Sequence, residues 1–427
     1  MTQLVVTNAL IATVDATNSV VTNGTIVSDD GVLTYVGSSH AAPPYRGDAT
    51  VIDAGGGVVM PGMVNAHAHL AMTMFRGLAD DMDLEGFLGT LLPIEGRVLS
   101  YDSVLLGSQL AVAECLQAGI TSVLDMYFFP EATTRAAADG GMRLFNGPVF
   151  IEFPGPDNRP FPERLAWARD VVRDSPAWLQ PHSSYLLDLD QMRAIGELAA
   201  EFFVGVNVHS SETLAEMEQV AQRHALTPTA SLAAAGLLTS RTVCAHSVHV
   251  TDSDMELMAV AGASAVHCPA SNMKLGSGIA RVPELQHAGI NVALGTDGAA
   301  SGNDLDLFVA MRLAGYVQKG TRHDATLLPA AELVRMATIN GARALGIDQL
   351  VGSLEVGKRA DLVVLDADAP SMHPRADPYS AIAYCASRAE VRDVVVDGVQ
   401  VVRNGRVLTV DVGAVLAEID KLVRSWS

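Results

Sequence analysis

Two histidines separated by one residue, His67 and His69, follow an apolar run. Side chains two residues apart on a β-strand point to the same face, so two imidazoles from one strand can bind one metal ion. The spacing therefore predicts metal-dependent chemistry if further ligands lie nearby. Because His-x-His also occurs in ordinary loops, the pair on its own leaves a purely structural role open.

Four more side chains that can bind metals follow other short apolar runs: His182, His209, His246 and Asp297. Such runs alternate eight times with stretches of helical periodicity, which predicts an α/β fold, the parallel (β/α)8 TIM barrel. A doubly wound open sheet is the alternative, but no Gly-rich dinucleotide turn follows the first strand. The runs predicted as barrel strands are residues 58–65, 120–125, 143–149, 178–181, 203–208, 242–245, 264–267 and 291–295.

The ends of the predicted strands determine which side chains meet. In a TIM barrel the carboxyl ends of the strands converge at one mouth, so residues far apart in sequence become neighbours. We therefore expect His67, His69, His209 and Asp297 to hold one divalent ion. Three imidazole nitrogens and one carboxylate oxygen suit Zn²⁺, and Fe²⁺ or Mn²⁺ would also be compatible.

A glutamate, Glu212, lies three residues after His209. A carboxylate beside a metal-activated water is the usual general acid or base, and we predict this role for Glu212. The alternative is a glutamate at a helix start, where it interacts with the helix dipole. Cys244 and Cys268 also lie near strand ends, but we expect both in the core because free cysteines are commonly buried.

Both ends of the chain contain short apolar runs separated by turn residues. The pairs Asp397-Gly398 and Asn404-Gly405 are typical of hairpins. Neither end has enough strands to fold alone, so we predict one small β-sandwich domain built from residues 1–57 and 351–427. Residues 58–350 would form the catalytic barrel.

Composition limits the partners and the compartment. The 427 residues carry a formal net charge of -20, and 49% of them are hydrophobic. An acidic surface repels nucleic acid and anionic membranes, so we expect a small-molecule substrate instead. The four cysteines are scattered, the N-terminus lacks a signal-peptide pattern, and no apolar run is long enough to span a bilayer. We therefore expect a cytoplasmic protein.

Several segments resemble a known family. Residues 61–69, Pro-Gly-Met-Val-Asn-Ala-His-Ala-His, are similar to the first-strand signature of the amidohydrolase superfamily, and the likeness covers essentially the whole chain, including residues 357–364. Within that superfamily the chain most resembles 5-methylthioadenosine/S-adenosylhomocysteine deaminases and related amino-heterocycle deaminases or chlorohydrolases. The segments that carry this likeness are residues 181–185, 245–249, 269–276 and 295–301.

The resemblance implies hydrolytic deamination, with release of ammonia, of an amino-purine nucleoside or a related amino-heterocycle. The nucleoside would be of the adenosine, 5-methylthioadenosine or S-adenosylhomocysteine type. A single metal ion is implied, because His182 occupies the place where members with two metals carry a modified lysine. Glu212 would pass a proton to a ring nitrogen, His246 would orient the attacking water, and Asp297 would take a proton from that water.

The resemblance also implies the substrate contacts. Glu95 matches a glutamate that contacts ribose hydroxyls in the family. His182 would touch the purine, and Ser301 would add a further contact.

One segment departs from the family pattern. Residues 145–149, Phe-Asn-Gly-Pro-Val, lack an arginine that meets the amino-acid tail in members that bind S-adenosylhomocysteine. A second family arginine corresponds to Arg159 or Arg164, and we take Arg159 as the candidate. A nucleoside with a small apolar 5′ group, or a different amino-heterocycle, fits the sequence as well.

Other functions on the same scaffold stay open. They are a chlorohydrolase, such as a triazine dechlorinase, a cyclic-amide hydrolase and a non-catalytic scaffold homologue. The missing lysine argues against a cyclic-amide hydrolase, and the complete ligand set argues against a silent scaffold. The resemblance also allows a homo-oligomer, because relatives tend to assemble.

Overall fold

The strands form two structures, a parallel barrel and a separate sheet built from both ends of the chain. A computed structural model describes residues 2–426 of the protein. In that range the strands are β1 (Gln3–Ala12), β2 (Val20–Asp29), β3 (Val32–Ser38), β4 (Thr50–Asp53), β5 (Val58–Pro61), β6 (Met63–His69), β7 (Ile120–Asp125), β8 (Arg143–Phe145), β9 (Val149–Phe150), β10 (Gln180–Pro181), β11 (Val206–Ser210), β12 (Thr242–His246), β13 (Ser264–His267), β14 (Asn291–Leu294), β15 (Asp297–Gly298), β16 (Leu362–Leu365), β17 (Val391–Val396), β18 (Val399–Arg403) and β19 (Arg406–Val407).

Helices connect most of the barrel strands, and several begin at capping side chains. Ser100, Asp188 and Thr251 each form a capping box, which satisfies backbone N–H groups that a helix start leaves unpaired. The helices are α1 (Leu84–Val98), α2 (Tyr101–Gln117), α3 (Pro130–Gly140), α4 (Phe161–Asp174), α5 (Leu189–Phe202), α6 (Leu214–His224), α7 (Pro228–Ala234), α8 (Asp252–Ala261), α9 (Pro269–Lys274), α10 (Val282–His287), α11 (Leu307–Arg322), α12 (Ala330–Ala337), α13 (Ile339–Ala344), α14 (Pro378–Ser380) and α15 (Val412–Arg424).

The sheet from the chain ends has nine strands in the order β19-β18-β17-β16-β5-β1-β2-β3, with β4 paired to β1. Strand β5 joins its two halves, because it runs parallel to β1 and antiparallel to β16. Ile11, Ile26 and Leu362 are fully buried in the apolar core of this sheet. The predicted β domain that combines both termini is therefore confirmed.

The run predicted as one strand over residues 58–65 divides into two strands at Gly62. Strand β5 lies in the terminal sheet, whereas β6 lies in the barrel. The Gly62 N–H donates to the carbonyl oxygen of Asp361 at 2.9 Å. A Cβ at Gly62 would lie 2.3 Å from Thr121 Oγ1, so this close approach requires glycine. The limits of the two domains stay predictions.

Parallel pairing closes the barrel around eight strand positions. Strands β6 to β8 pair in sequence, β9 pairs with β10, and β11 to β14 pair in sequence. Pro148 has no N–H to donate and lies between β8 and β9, which together occupy the third position. A parallel bridge from Leu179 to Val206 joins β10 to β11, and β15 continues β14 and pairs with β6. The predicted TIM barrel is confirmed and the open sheet is excluded.

The carboxyl ends of the barrel strands face α1. Phe87, Leu88 and Glu95 of α1 line the same cavity as His69 and Asp297 at the strand ends. Cysteines 244 and 268 are buried. Between residues 2 and 426, no helix combines the length and apolar character that a membrane crossing requires.

Candidate active site and metal centre

Four side chains from three strands gather at the mouth of the barrel: His67 and His69 from β6, His209 from β11 and Asp297 from β15. One donor atom from each lies within 4.8 Å of the other three. His69 Nε2 is 3.1 Å from Asp297 Oδ1 and also 3.1 Å from His209 Nε2. The four residues are at most 9% exposed. This buried group could hold a metal ion, and we call it the metal group.

Hydrogen bonds at Nδ1 orient the three imidazoles of the metal group. The contacts are His67 Nδ1 to Asn207 Oδ1 at 3.2 Å, His69 Nδ1 to the Met126 carbonyl oxygen at 2.6 Å and His209 Nδ1 to the His182 carbonyl oxygen at 2.9 Å. Because each partner is an acceptor, the neutral form of each ring carries its proton on Nδ1 and keeps the Nε2 lone pair free. A neutral imidazole held in this way is ready to bind a divalent cation.

Asp297 keeps one carboxylate oxygen bonded and leaves the other for the metal group. Its Oδ2 accepts hydrogen bonds from Ser271 Oγ at 2.6 Å and Ser301 Oγ at 2.7 Å. Asp297 Oδ1 and His67 Nε2 are buried and find no hydrogen-bond partner among the described residues. Unpaired buried polar atoms are costly, so the donor set fits a cation bound between them.

The backbone at two of these residues is unusual. Asp297 has a φ of 59° and His246 a φ of 71°, a left-handed region that residues other than glycine rarely adopt. Such conformations cluster at functional sites, where the surrounding structure maintains them. Burial favours the neutral acid of Asp297, but the imidazoles of His67 and His69 outweigh burial and hold its pKa well below the usual range.

Glu212 and His246 form a second pair beside the metal group. Glu212 Oε2 lies 3.7 Å from His246 Nε2, and the His246 ring centroid is 5.4 Å from that of His209. Burial raises the pKa of Glu212, so this carboxyl holds a proton more readily than an exposed one. Burial opposes the charged form of His246, but the carboxylates of Glu212 and Asp297 outweigh burial and raise its pKa.

Sequence reasoning missed the residues that hold Glu212. The buried carboxylate of Glu216 accepts hydrogen bonds from the backbone N–H of Ser211 at 3.2 Å and of Glu212 at 2.6 Å. The Ser277 hydroxyl donates to Glu212 Oε1 at 3.2 Å. An acidic residue four positions after Glu212 was the one available signal for Glu216.

Two asparagines that orient histidines were also missed. Asn272 Oδ1 lies 2.8 Å from His246 Nδ1, as Asn207 Oδ1 lies beside His67. Asn272 belongs to the segment 269–276 that carries the family resemblance, so its position in that motif was a usable signal. Asn207 lies two residues before His209 in β11, and this spacing places both side chains on one face of the strand.

A cavity of about 910 Å³, including its open mouth, lies next to the metal group. The polar residues of its wall are His69, Glu95, Tyr127, His182, Tyr185, His209, Glu212, His246, Asp297 and Ser301. The apolar wall residues are Met72, Leu84, Phe87, Leu88, Leu92, Met126, Phe128, Val149, Ile151, Phe153, Leu186 and Leu275.

Glu95 lines this cavity from the last turn of α1. It is 4% exposed, and the Tyr127 hydroxyl donates a hydrogen bond to its Oε1. Burial raises the pKa of Glu95 to about 7, although the hydrogen bond from Tyr127 acts in the opposite direction. Tyr127 was not predicted from the sequence as a site residue. Its hydrogen bond fixes the position of the Glu95 carboxyl.

His182 and Ser301 line the same cavity. The His182 ring centroid is 4.6 Å from that of His209, and burial lowers the pKa of His182 to about 3. Its imidazole is therefore neutral at pH 7. Ser301 uses its hydroxyl to donate to Asp297, so it contacts the metal group as well as the cavity.

Among the residues predicted to bind the substrate, Arg159 is the one that the structure leaves away from the cavity wall. Its guanidinium lies 4.3 Å from the Trp167 ring centroid, and its Nε is 3.6 Å from Asp157 Oδ2. Arg164 is buried and donates to both carboxylate oxygens of Asp157, at 2.7 and 2.9 Å. Both arginines are thus occupied within the loop before α4 and at its start.

Comparisons with known proteins agree with this geometry. Residues 58–401 match the model of the amidohydrolase family. A 5-methylthioadenosine/S-adenosylhomocysteine deaminase of Syntrophobacter fumaroxidans is 38% identical, over 99% of this chain and 98% of its own length. A protein of the same name from Acetivibrio thermocellus is 36% identical over 96% of each chain.

Solved structures give the same result. A zinc-bound adenosine deaminase from Xanthomonas campestris superposes with a TM-score of 0.95 and 33% identity, over 99% of each chain. Atrazine chlorohydrolase from Arthrobacter aurescens shares the fold, with a TM-score of 0.90 and 24% identity over 98% of this chain and 100% of its own. Matching family signatures, a matching fold and relatives that align from end to end lead to one conclusion: the chain belongs to the amidohydrolase family.

Proposed function

We propose that this protein is a metal-dependent aminohydrolase that deaminates an amino-purine nucleoside or a related amino-heterocycle and releases ammonia. The observation that carries this proposal is the arrangement of Glu212 and His246 beside the metal group at the floor of one cavity. Hydrolytic deamination of this kind needs a metal-activated water, a group that carries protons and a pocket for a flat substrate. The names of the relatives reported above, which are deaminases of adenosine and its derivatives, support the same reaction class.

We infer that the ion is Zn²⁺. The donor set of three imidazoles and one carboxylate suits zinc, and the similar Xanthomonas campestris structure contains it. When bound, such an ion lowers the pKa of a coordinated water toward about 7 and so supplies a nucleophile at neutral pH.

Glu212 and His246 would then manage the protons. The raised pKa of the buried Glu212 carboxyl suits it to deliver a proton from its oxygen to a ring nitrogen of the substrate. His246, held at Nδ1 by Asn272, would present Nε2 to the attacking water. The Asp297 carboxylate, whose Oδ1 accepts no hydrogen bond from the described residues, would take the proton of that water. As the water oxygen bonds to the amino-bearing carbon, Asp297 would take one proton from it and pass that proton to the amino group. The added hydroxyl would return its proton to Glu212 as the carbonyl forms, and the carbon–nitrogen bond would break to release ammonia.

Substrate binding would use the other polar residues of the cavity. Glu95 offers a carboxyl for ribose hydroxyls, and the neutral His182 offers a ring for the purine. Ser301, which lines the same cavity, adds a hydroxyl. Arg159 contributes nothing in this arrangement, because its side chain contacts Asp157 and Trp167.

The test is an assay of metal content and ammonia release on the purified protein. We expect about one zinc per chain and ammonia release from adenosine, 5-methylthioadenosine or S-adenosylhomocysteine. Guanine, pterins and aminotriazines complete the screen. Chloride release from a chlorotriazine without any ammonia release would favour the chlorohydrolase, and a chain without bound metal or turnover would favour the scaffold homologue. A cytoplasmic location and a homo-oligomeric state stay predictions.

A further inference from the structure

The wall of the cavity along α1 is mainly apolar, and Tyr185 adds a phenol hydroxyl to the lining. One face of α1 supplies Leu84, Leu88 and Leu92 at helical spacing, and Glu95 follows on the same face one turn later. Ile151, from the segment after β9, also lines the cavity. Further apolar residues of the lining are Phe128, Phe153, Leu186 and Leu275.

This part of the cavity offers no positive charge. Neither lysine nor arginine occurs among the wall residues that the structure describes. Cations behind the wall are already bonded. Arg164, 5.7 Å from the Phe128 ring, is committed to Asp157, and Arg223 donates to the Tyr185 carbonyl oxygen and to Glu152.

Distances along α1 indicate what this region can contact. At a rise of about 1.5 Å per residue, Leu88 lies roughly 10 Å and Leu84 roughly 16 Å along the helix from Glu95. In the proposed function, Glu95 binds the ribose hydroxyls. A group attached to the 5′ carbon of that ribose and pointing out of the site would then lie along these leucines.

We infer that this region is an apolar subsite for an uncharged substituent on the nucleoside, and that it excludes a charged amino-acid tail. The inference rests on the proposed function. A methylthio group would leave water and contact Leu88, Leu92 and Phe153. Binding would be favoured because apolar surface is then buried. A homocysteine tail would bring a carboxylate and an ammonium group against leucines, with no cation to receive the carboxylate.

The first test compares kcat/KM for adenosine, 5-methylthioadenosine and S-adenosylhomocysteine on the zinc-loaded protein. We expect 5-methylthioadenosine to exceed adenosine by about 10-fold, because one small apolar group in a hydrophobic pocket is worth about that much. We expect it to exceed S-adenosylhomocysteine by roughly 100-fold, because the charged tail must be desolvated without a partner. Similar values for 5-methylthioadenosine and S-adenosylhomocysteine, within about threefold, would overturn the inference.

A charge placed in the subsite provides the second test. Leu88→Arg should lower the ratio of kcat/KM for 5-methylthioadenosine to that for S-adenosylhomocysteine by about 10-fold or more, because a partner for the carboxylate is now present. Phe153→Arg repeats the test at the rim, where the side chain is 39% exposed and a charge is easily accommodated. The matched control is Leu214→Arg, at an exposed leucine of α6 outside the cavity, which should leave the ratio unchanged.

The outcomes separate this inference from the proposed function. Deamination of adenosine together with an unaltered ratio in both cavity variants would overturn the subsite and leave the proposed function standing. Failure to deaminate any of the three nucleosides would overturn the nucleoside function, and the subsite would fall with it.

Discussion

Asn207 Oδ1 lies 3.2 Å from Nδ1 of His67, and the amide nitrogen of the same asparagine donates to Gln180 Oε1 at 3.0 Å. The second hydrogen bond determines which way the amide faces, so the oxygen is the atom that meets His67. That contact places the imidazole proton on Nδ1 and leaves Nε2 for the metal group. The fully buried Asn207 thus orients His67 of the metal group without belonging to that group.

Removing this asparagine oxygen should weaken metal binding. We expect Asn207→Ala to lower metal affinity by about 10- to 100-fold, the usual effect of losing a partner behind a metal-bound histidine. Asn207→Asp keeps an oxygen acceptor and should retain most of the affinity. Competition with a chromophoric chelator measures both variants, and equal affinity in Asn207→Ala and the unaltered protein would contradict the proposed orientation.

The proposed proton carrier can be separated from the metal site. Glu212→Gln should keep its bound metal and lower kcat by roughly 10²- to 10⁴-fold, because general acid–base catalysis supplies about that much. Glu218→Gln, on the exposed side of α6, serves as the control and should behave like the unaltered protein. Full turnover in Glu212→Gln would end the proton role assigned to this residue.

Glu95 should matter for nucleosides and not for free bases. We expect Glu95→Ala to reduce kcat/KM for nucleosides by about 10- to 100-fold, a loss typical of a hydrogen-bonded charged group. Free amino-heterocycles that lack ribose should be affected much less. Glu85→Ala, at the exposed start of the same helix, is the control. An equal loss on both substrate types would mean that Glu95 does not contact ribose.

The raised pKa of Glu95 makes nucleoside binding depend on pH. With a pKa of about 7, the carboxyl is mainly neutral below that pH and mainly a carboxylate above it. The carboxylate is the stronger acceptor for ribose hydroxyls, so KM for a nucleoside should fall by roughly 10-fold between about pH 6 and about pH 8. Glu95→Gln cannot ionise and should show a flat KM over this range. A KM that rises with pH in the unaltered protein would contradict the sign.

Loss of the metal should abolish turnover and lower thermal stability. A chelator should remove the activity, and added Zn²⁺ should restore it; the bound ion should also raise Tm, because ligands that bind only the folded state stabilise it. Asp297→Asn, which weakens one donor, should purify with less metal than the unaltered protein. Asp252→Asn, at a carboxylate 84% exposed, is the matched control. Metal-free protein with undiminished turnover would exclude this mechanism.

Periodicity and spacing were enough to predict the barrel and to bring distant residues together. Apolar runs that alternate with helical stretches leave few arrangements other than parallel strands with helices between them. Once the barrel is assumed, its topology places every strand end at one mouth, so His67, His69, His209 and Asp297 could be grouped from sequence position alone. Their types then indicated the metal chemistry.

What surrounds that group was decided by the tertiary structure. Asn207, Asn272 and Glu216 are ordinary polar residues in the sequence, and only the packing of β11, α6 and α9 aims them at their partners. The same holds for Arg159, whose guanidinium stacks on Trp167 and does not face the cavity. Hydrogen bonds depend on a few tenths of an ångström and on direction, and neither is encoded in the spacing of residue types along the chain.

The sequence by itself therefore determined the fold class and grouped the four proposed metal ligands, because both follow from pattern and topology. The tertiary structure alone decided the division of residues 58–65 at Gly62 and the apolar, cation-free wall above Glu95. Both depend on which side chains approach one another across separate elements. Such contacts are set by close packing in three dimensions, whereas the periodicity of a single segment reports only which of its faces is buried.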